Sequence, residues 1–217
     1  MSDMESIWEY REEVLYPDLF GQGEDAIFPL VAGDFAAIGR ADVDPRWLHL
    51  GVMAFAPTAR RPTWLYVTSG GSTPWDSEPH EYDPDGYSWL GVEFVIESRE
   101  RADWPLLVLR RLLAYQVLVC HGAYGDVPGL GYNARVPLGG PIDPTTDSVL
   151  RFVLIARPTH YPANARLESG RFDFLHVVGI SESERDFARL HGDEALIEKL
   201  ALAEAYPLTD PARQPVV

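Results

Sequence analysis

His49-Leu-Gly-Val-Met-Ala-Phe55 and Thr63-Trp-Leu-Tyr-Val-Thr68 decide the fold. Pro45 introduces the first run, which reads as a strand over residues 47–55. Arg60-Arg61-Pro62 and Gly70-Gly71 bound the second, read as a strand over 63–68. A short turn region joins them, so the pair reads as a hairpin. A third run, Ser88-Trp-Leu-Gly-Val-Glu-Phe-Val-Ile96, is rich in aromatic and β-branched residues and extends the sheet.

Working outward, Asp103 opens the longest helix, which runs to about His121. Pro105 is tolerated in its first turn. Leucine and valine cover nearly every side except around Arg110, Arg111 and Gln116, so it is a buried core helix. Further strands are expected at 133–136, 150–156 and 172–180. In the last, Phe172, Phe174, His176 and Val178 face one way and Asp173, Leu175 and Val177 the other. Ser181-Glu-Ser-Glu184 is a capping box that starts a helix ended by Gly192. Asp193 is expected to cap a final helix over 194–205, before a proline-containing tail at 207–217. At the N-terminus a helix capped by Asp3 is expected to stop at Tyr16-Pro17, and residues 18–44 read as loop-rich. The whole predicts one α+β domain over 1–217, with its core at about 26–205: a central, largely antiparallel (mixed) sheet flanked by helices.

Composition removes several functions. With 217 residues the chain buries roughly 70% of the surface that it exposes when unfolded, and needs no staples. Its 33 Asp and Glu against 18 Lys and Arg give a formal charge of -15, beyond the magnitude of about 2–8 usual for a small soluble domain. Such a surface repels phosphate backbones and anionic lipid, so neither nucleic acid nor membrane is an expected partner; a basic protein is. No apolar run approaches the roughly 20 residues of a membrane span, and the first residues lack a signal-peptide layout. A cytoplasmic location is expected. Lys199 is the only lysine, which fits the arginine-rich codon usage of a GC-rich genome.

The candidate chemistry is thin. Cys120 is the only cysteine and reads as a buried thiol at the end of the core helix. Neighbours on a helix point apart, so Cys120 and His121 do not make a nucleophile–base pair. Glu81-Tyr-Asp-Pro-Asp-Gly86 starts like a calcium loop, but the closing position is Val92 and Glu93 comes one residue late. The six histidines show no zinc spacing, and no phosphate-binding glycine motif or nucleophile elbow is present. No cofactor or metal is expected, and no catalytic residue is assigned. A site assembled from distant residues, metal-assisted through His80, Glu81 and Asp83, stands as the enzymatic alternative.

What remains is the stretch from Gly70 to Tyr87. It carries Asp76, Glu78, Glu81, Asp83 and Asp85 with no Lys or Arg among them, and Trp75, Tyr82 and Tyr87 are set into it. Long loops of this kind are commonly functional or mobile. Indole and phenol rings suit an interface, and the carboxylates would steer a basic partner.

Longer stretches add a resemblance. Trp64-Leu-Tyr-Val-Thr-Ser-Gly-Gly-Ser72 with Trp75, Leu90-Gly-Val-Glu-Phe-Val-Ile96, Trp104-Pro with Leu113-Ala-Tyr115, Val136-Pro-Leu138, Phe172-Asp-Phe-Leu-His-Val-Val-Gly-Ile180 and Asp210-Pro-Ala-Arg213 occur in order. Together they resemble the suppressor of fused (Sufu) domain. Asp44-Pro-Arg-Trp-Leu-His49 and Phe55-Ala-Pro-Thr58 resemble its compact, bacterial-type members. The resemblance implies a Sufu-like N-terminal domain and a non-catalytic, protein-binding role. In animal members the domain grips an extended peptide of Gli transcription factors as an added strand. Bacterial members are associated with polymorphic toxin systems, where they look like immunity proteins. The alternative within the family is a regulatory or scaffolding module that holds an endogenous peptide. By resemblance the partner-binding residues are Tyr66, Gly70, Ser72, Trp75 and Asp76, the last with a register one residue loose; Tyr82 of the acidic loop joins them. Compared with animal members, the second domain that closes over the peptide is not expected here.

Overall fold

The computed structural model describes residues 3–40 and 42–217. Eight strands form one sheet: β1 (Gly23–Pro29), β2 (Gly51–Phe55), β3 (Trp64–Ser69), β4 (Tyr87–Ser98), β5 (Arg135–Pro137), β6 (Leu150–Ala156), β7 (Asn164–Leu167) and β8 (Gly170–Ser181). Their order is β1-β2-β3-β4-β8-β6-β5, with β7 pairing β8 off that path. Among the described residues, the β4–β8 pair is the one parallel strand pair. The expected mixed, largely antiparallel sheet is therefore present, and Ala54 faces Tyr66 across the predicted hairpin.

Helices cover both faces because alternate residues of each strand point to opposite sides. One face carries Val52, Ala54, Tyr66, Phe94, Ile96, Leu175 and Val177 against α4 (Trp104–Cys120), the predicted core helix. The other face is divided. Met53, Phe55, Leu65, Val67, Val95, Phe172 and Phe174 meet the N-terminal helical segment through Ile7, Tyr16 and Phe20. Leu154, Val178 and Ile180 meet α5 (Glu182–His191) and α6 (Asp193–Leu202).

Several expectations are corrected. The first helix does not stop at Tyr16-Pro17. After α1 (Asp3–Glu9) comes a π-helical turn over Tyr10–Leu15, then α2 (Tyr16–Phe20). Pro17 falls in the first turn of α2, where a missing N–H costs little. The expected cap by the Asp3 side chain lies outside the described residues. Residues 18–44 hold β1 and α3 (Ala32–Ala36). β1 is an edge strand with Ile27 exposed, so it shows no alternation to read. The predicted strand at 47–55 is shorter. Asp44 accepts the Arg46 N–H at 2.9 Å and starts a 3-10 turn at Pro45–His49, and the strand begins at Gly51. The short strand expected at 133–136 lies at Arg135–Pro137, and β7 was not expected.

The capping box at Ser181 forms as written, with Ser181 Oγ accepting from the Glu184 N–H and Glu184 accepting the Ser181 N–H. Gly192, not Asp193, caps α6, which ends at Leu202. Asp193 instead pairs with Arg135 of β5 at 3.2 Å. Cys120 is exposed rather than buried: it follows Val119, the last core residue of α4. The proline-containing tail is tied to the sheet. Leu208 bridges Glu97, buried Thr209 takes the Gly179 N–H at 2.9 Å, and Arg213 pairs with Glu184.

Candidate functional site

The segment after β3 is built on a buried polar anchor. Glu93 of β4 is fully buried and receives four hydrogen bonds at its two carboxylate oxygens. Thr68 Oγ1 donates at 2.5 Å, Ser72 Oγ at 2.7 Å, and the Ser72 and Gly70 N–H groups at 2.9 and 3.1 Å. Burial pushes the Glu93 carboxyl up, against the pull of Arg11 and of the Thr68 and Ser72 hydrogen bonds. Arg11 lies in the π-helical turn and is itself buried. Its guanidinium donates to Ser69, Ser72 and Thr73 at 2.8, 3.2 and 2.9 Å, so Ser72 Oγ links guanidinium to carboxylate. The glycines permit this close turn. Gly70 has φ of 130°, and a Cβ there would lie 2.2 Å from Leu50; a Cβ on Gly71 would lie 2.3 Å from the Val92 carbonyl.

Beyond the anchor the chain surfaces as an aromatic and acidic patch. Trp75 is half-buried, edge-on to Trp8 at 5.4 Å and 6.3 Å from the His49 ring. Asp76 is half-exposed; it accepts the Trp89 Nε1–H at 2.9 Å and lies 3.4 Å from Arg46 and 3.7 Å from His121. The His121 ring stands 4.9 Å from Trp47 and 5.9 Å from Trp89. Asp44 closes the group through Arg46, whose hydrogen bond and charge hold the Asp44 carboxyl below its usual range. Trp89 has φ of 51°, a left-handed backbone that costs a bulky residue about 1–3 kcal/mol. It lies where the β4–β8 register shifts, between Tyr87 and Val92. Such strain is tolerated where surrounding contacts fix it, here the Asp76 hydrogen bond.

The six residues expected at the site therefore divide. Gly70 and Ser72 meet at Glu93, inside the protein. Trp75 and Asp76 meet at the surface. Tyr66 lies in the α4-side core, its hydroxyl accepting the Ala102 N–H at 2.9 Å. Tyr82 packs on the opposite face, beside the Phe172 and Phe174 cluster. Arg46, Trp47, Trp89 and His121 join the patch from three other segments. Trp47 and Trp89 each offered a sequence signal, an aromatic inside a strand candidate, but nothing in either stretch showed that they meet Asp76 and His121.

The acids of the loop are partly matched by bases from elsewhere in the chain: Arg46 faces Asp76, and Arg166 pairs with Asp85 at 3.0 Å. Others serve their own backbone. Glu81 accepts the Glu78 N–H at 2.8 Å and Asp83 the Asp85 N–H at 3.0 Å. Among the described residues no group of three or more His, Cys, Asp or Glu is placed to hold a metal ion, His80 with Glu81 and Asp83 included. No helix among them is long and apolar enough to cross a membrane.

The fold is a mixed α+β domain, and its surface patch sets aromatic rings beside carboxylates. The model of the suppressor of fused protein (SUFU) family matches residues 46–214, and the chain belongs to that family. No curated protein sequence matches it. Among solved structures, a chain of the Sufu–Fu complex is similar over 99% of this chain and 92% of its own, at 15% identity and a TM-score of 0.65. A SUFU homologue from Neisseria gonorrhoeae FA 1090 is similar over 96% and 97%, at 22% identity and a TM-score of 0.63. Drosophila Suppressor of Fused is similar over 77% of this chain at 17% identity and a TM-score of 0.58, with 42% of its own length covered.

Proposed function

We propose that this chain is a cytoplasmic, non-catalytic binding domain that acts as one unit over residues 1–217. It sequesters a basic protein partner, in the manner of an immunity protein that neutralises a toxin. The observation that carries this reading is the surface patch. Trp89 donates to Asp76, Trp47 and Trp89 flank the His121 ring beside that carboxylate, Trp75 lies near His49, and Arg46 is the one arginine that Asp44 and Asp76 share among the described residues. Rings of this type give area with little entropy cost, and the carboxylates orient a cationic side chain between them. Trp75 and Asp76 form the contact; Gly70 and Ser72 hold the segment in place from beneath, and Tyr66 and Tyr82 support it from the two cores.

A regulatory module for an endogenous peptide is the second reading, favoured by likeness to a chain solved in a Sufu–Fu complex. A secreted toxin encoded beside the gene separates the two. The direct test is co-purification from the source cell with the wild type and with Asp76→Lys. A basic protein should co-elute with the wild type and be reduced at least about tenfold with the variant, since reversing a charge across an interface costs several kcal/mol. Unchanged recovery would remove the patch from the interface.

A further inference from the structure

A second concave surface has the opposite electrostatic character. Between α4 and β5 runs a groove of about 400 Å³. Val108, Leu112, Val136 and Leu138 wall it, and Arg111 and Tyr115 stand on the helix side. Val108, Arg111, Leu112 and Tyr115 are spaced i, i+3, i+4, i+7, so one stripe of α4 faces the groove.

Arg111 is half-buried, and its Nε is buried with no hydrogen-bond partner. Among the described residues no carboxylate pairs with it, in a chain with 33 Asp and Glu. The neighbouring arginines differ: Arg110 lies 3.4 Å from Asp34, and Arg135 lies 3.2 Å from Asp193. A guanidinium left without an anion beside apolar walls is complementary to a carboxylate on an apolar ligand.

The wall opposite α4 is a sheet edge. β5 ends the strand order and pairs only with β6. Leu138 N–H donates to Arg151 O, and Ala134 O accepts from Ile155 N–H. Antiparallel alternation then turns the main-chain groups of Val136 toward β6 and those of Arg135 outward. The Arg135 N–H and C=O and the Pro137 C=O are thus available along the groove, enough to pair one residue of an added strand and to accept from another.

We propose that this groove takes an extended segment of a protein partner, in which apolar residues alternate with an acidic one. The segment adds to the β5 edge, its apolar side chains enter the Val108–Leu112–Val136–Leu138 wall, and its carboxylate meets Arg111. The site is separate from the aromatic–acidic patch and selects the opposite charge.

The test is a random-heptapeptide display library selected on the wild type, Arg111→Leu and Arg111→Glu, with Asp76→Lys as a control. Thermal melting of each variant confirms the fold; Arg111 has no ion pair to lose. Peptides enriched on the wild type and on Asp76→Lys should carry an acid between apolar residues at alternate positions. A synthetic representative should bind Arg111→Leu at least about tenfold more weakly, the loss expected for one hydrogen bond to a charged group. Arg111→Glu should enrich peptides with a basic residue at the same place. A net charge of -15 disfavours acidic ligands at long range, so an acidic preference requires a local cation. Enrichment without an acidic residue, affinity indifferent to Arg111, or no enrichment at all would overturn the proposal.

Discussion

His176 shows how one residue ties burial, hydrogen bonding and pH together. It is fully buried on β8; its Nε2 is 2.8 Å from the Pro207 carbonyl and its Nδ1 2.8 Å from the Tyr161 hydroxyl. The pattern assigns the Nε2 proton to Pro207 and leaves Nδ1 to accept from Tyr161. Burial lowers its pKa, against the pull of Glu97 and of the Pro207 hydrogen bond. In the unfolded chain it titrates near ~6.5. Between the depressed folded value and ~6.5 the unfolded state binds a proton that the folded state refuses. Stability from this group is therefore full above about 6.5 and declines as pH falls through that window. Glu93, whose carboxyl is raised, works in the opposite direction, so total stability alone does not isolate His176. The comparison that does is the change in urea midpoint between pH 7.5 and 5.5 for wild type and His176→Gln. The wild type should lose more stability on acidification than the variant. Equal pH responses would mean that His176 is not held neutral.

At the scale of elements, the C-terminal segment behaves as a clasp. Arg213, 9% exposed, donates to both oxygens of Glu184, which is completely buried at the start of α5, and also to the Gly179 carbonyl. Burial alone would raise the Glu184 carboxyl, but hydrogen bonds from Arg213, the Ser181 N–H and the Val216 N–H hold it below its usual range. Arg213→Met leaves that carboxylate buried without its cation and should cost about 3–5 kcal/mol, read as a fall in the urea midpoint. A loss below about 1 kcal/mol would show that α5 does not depend on the clasp. The elements also show what sequence can carry. The capping box at Ser181 is legible because its partners stand three residues apart, and β6 because its run is bounded cleanly. Arg11 is not legible: it reads as one charge on a surface helix, yet it is buried by contacts to residues such as Thr73, 62 positions away. The acidic loop was legible as a composition and not as a geometry. The bases that face it, Arg46 and Arg166, come from before β2 and from β7. Tyr66 illustrates the same limit, since alternation along β3 says that it faces one side but not that α4 covers that side.

At the scale of the whole molecule, the charge of -15 becomes a kinetic quantity. Local pairing removes part of the patch's field, because Arg46 stands beside both Asp44 and Asp76. A partner's cation must then displace or share Arg46, so the net gain from any one ion pair is small. The excess of acid over the rest of the molecule is not neutralised in this way. It acts before contact, by raising the encounter rate of a basic partner, and salt screens it with a Debye length of about 10 Å at 0.1 M and 3 Å at 1 M. In the proposed complex, rings and buried anchors act after contact and set the dissociation rate, on which salt has little hold. Association of the wild type with the proposed basic partner should therefore slow by about tenfold or more between 0.02 and 0.5 M salt, with dissociation nearly constant, as measured by stopped-flow fluorescence of the patch tryptophans. Trp89→Gly should act on the other rate, leaving association and its salt slope intact while dissociation quickens. A salt-independent association rate would place the recognition in shape alone and leave the acid excess without a part in it.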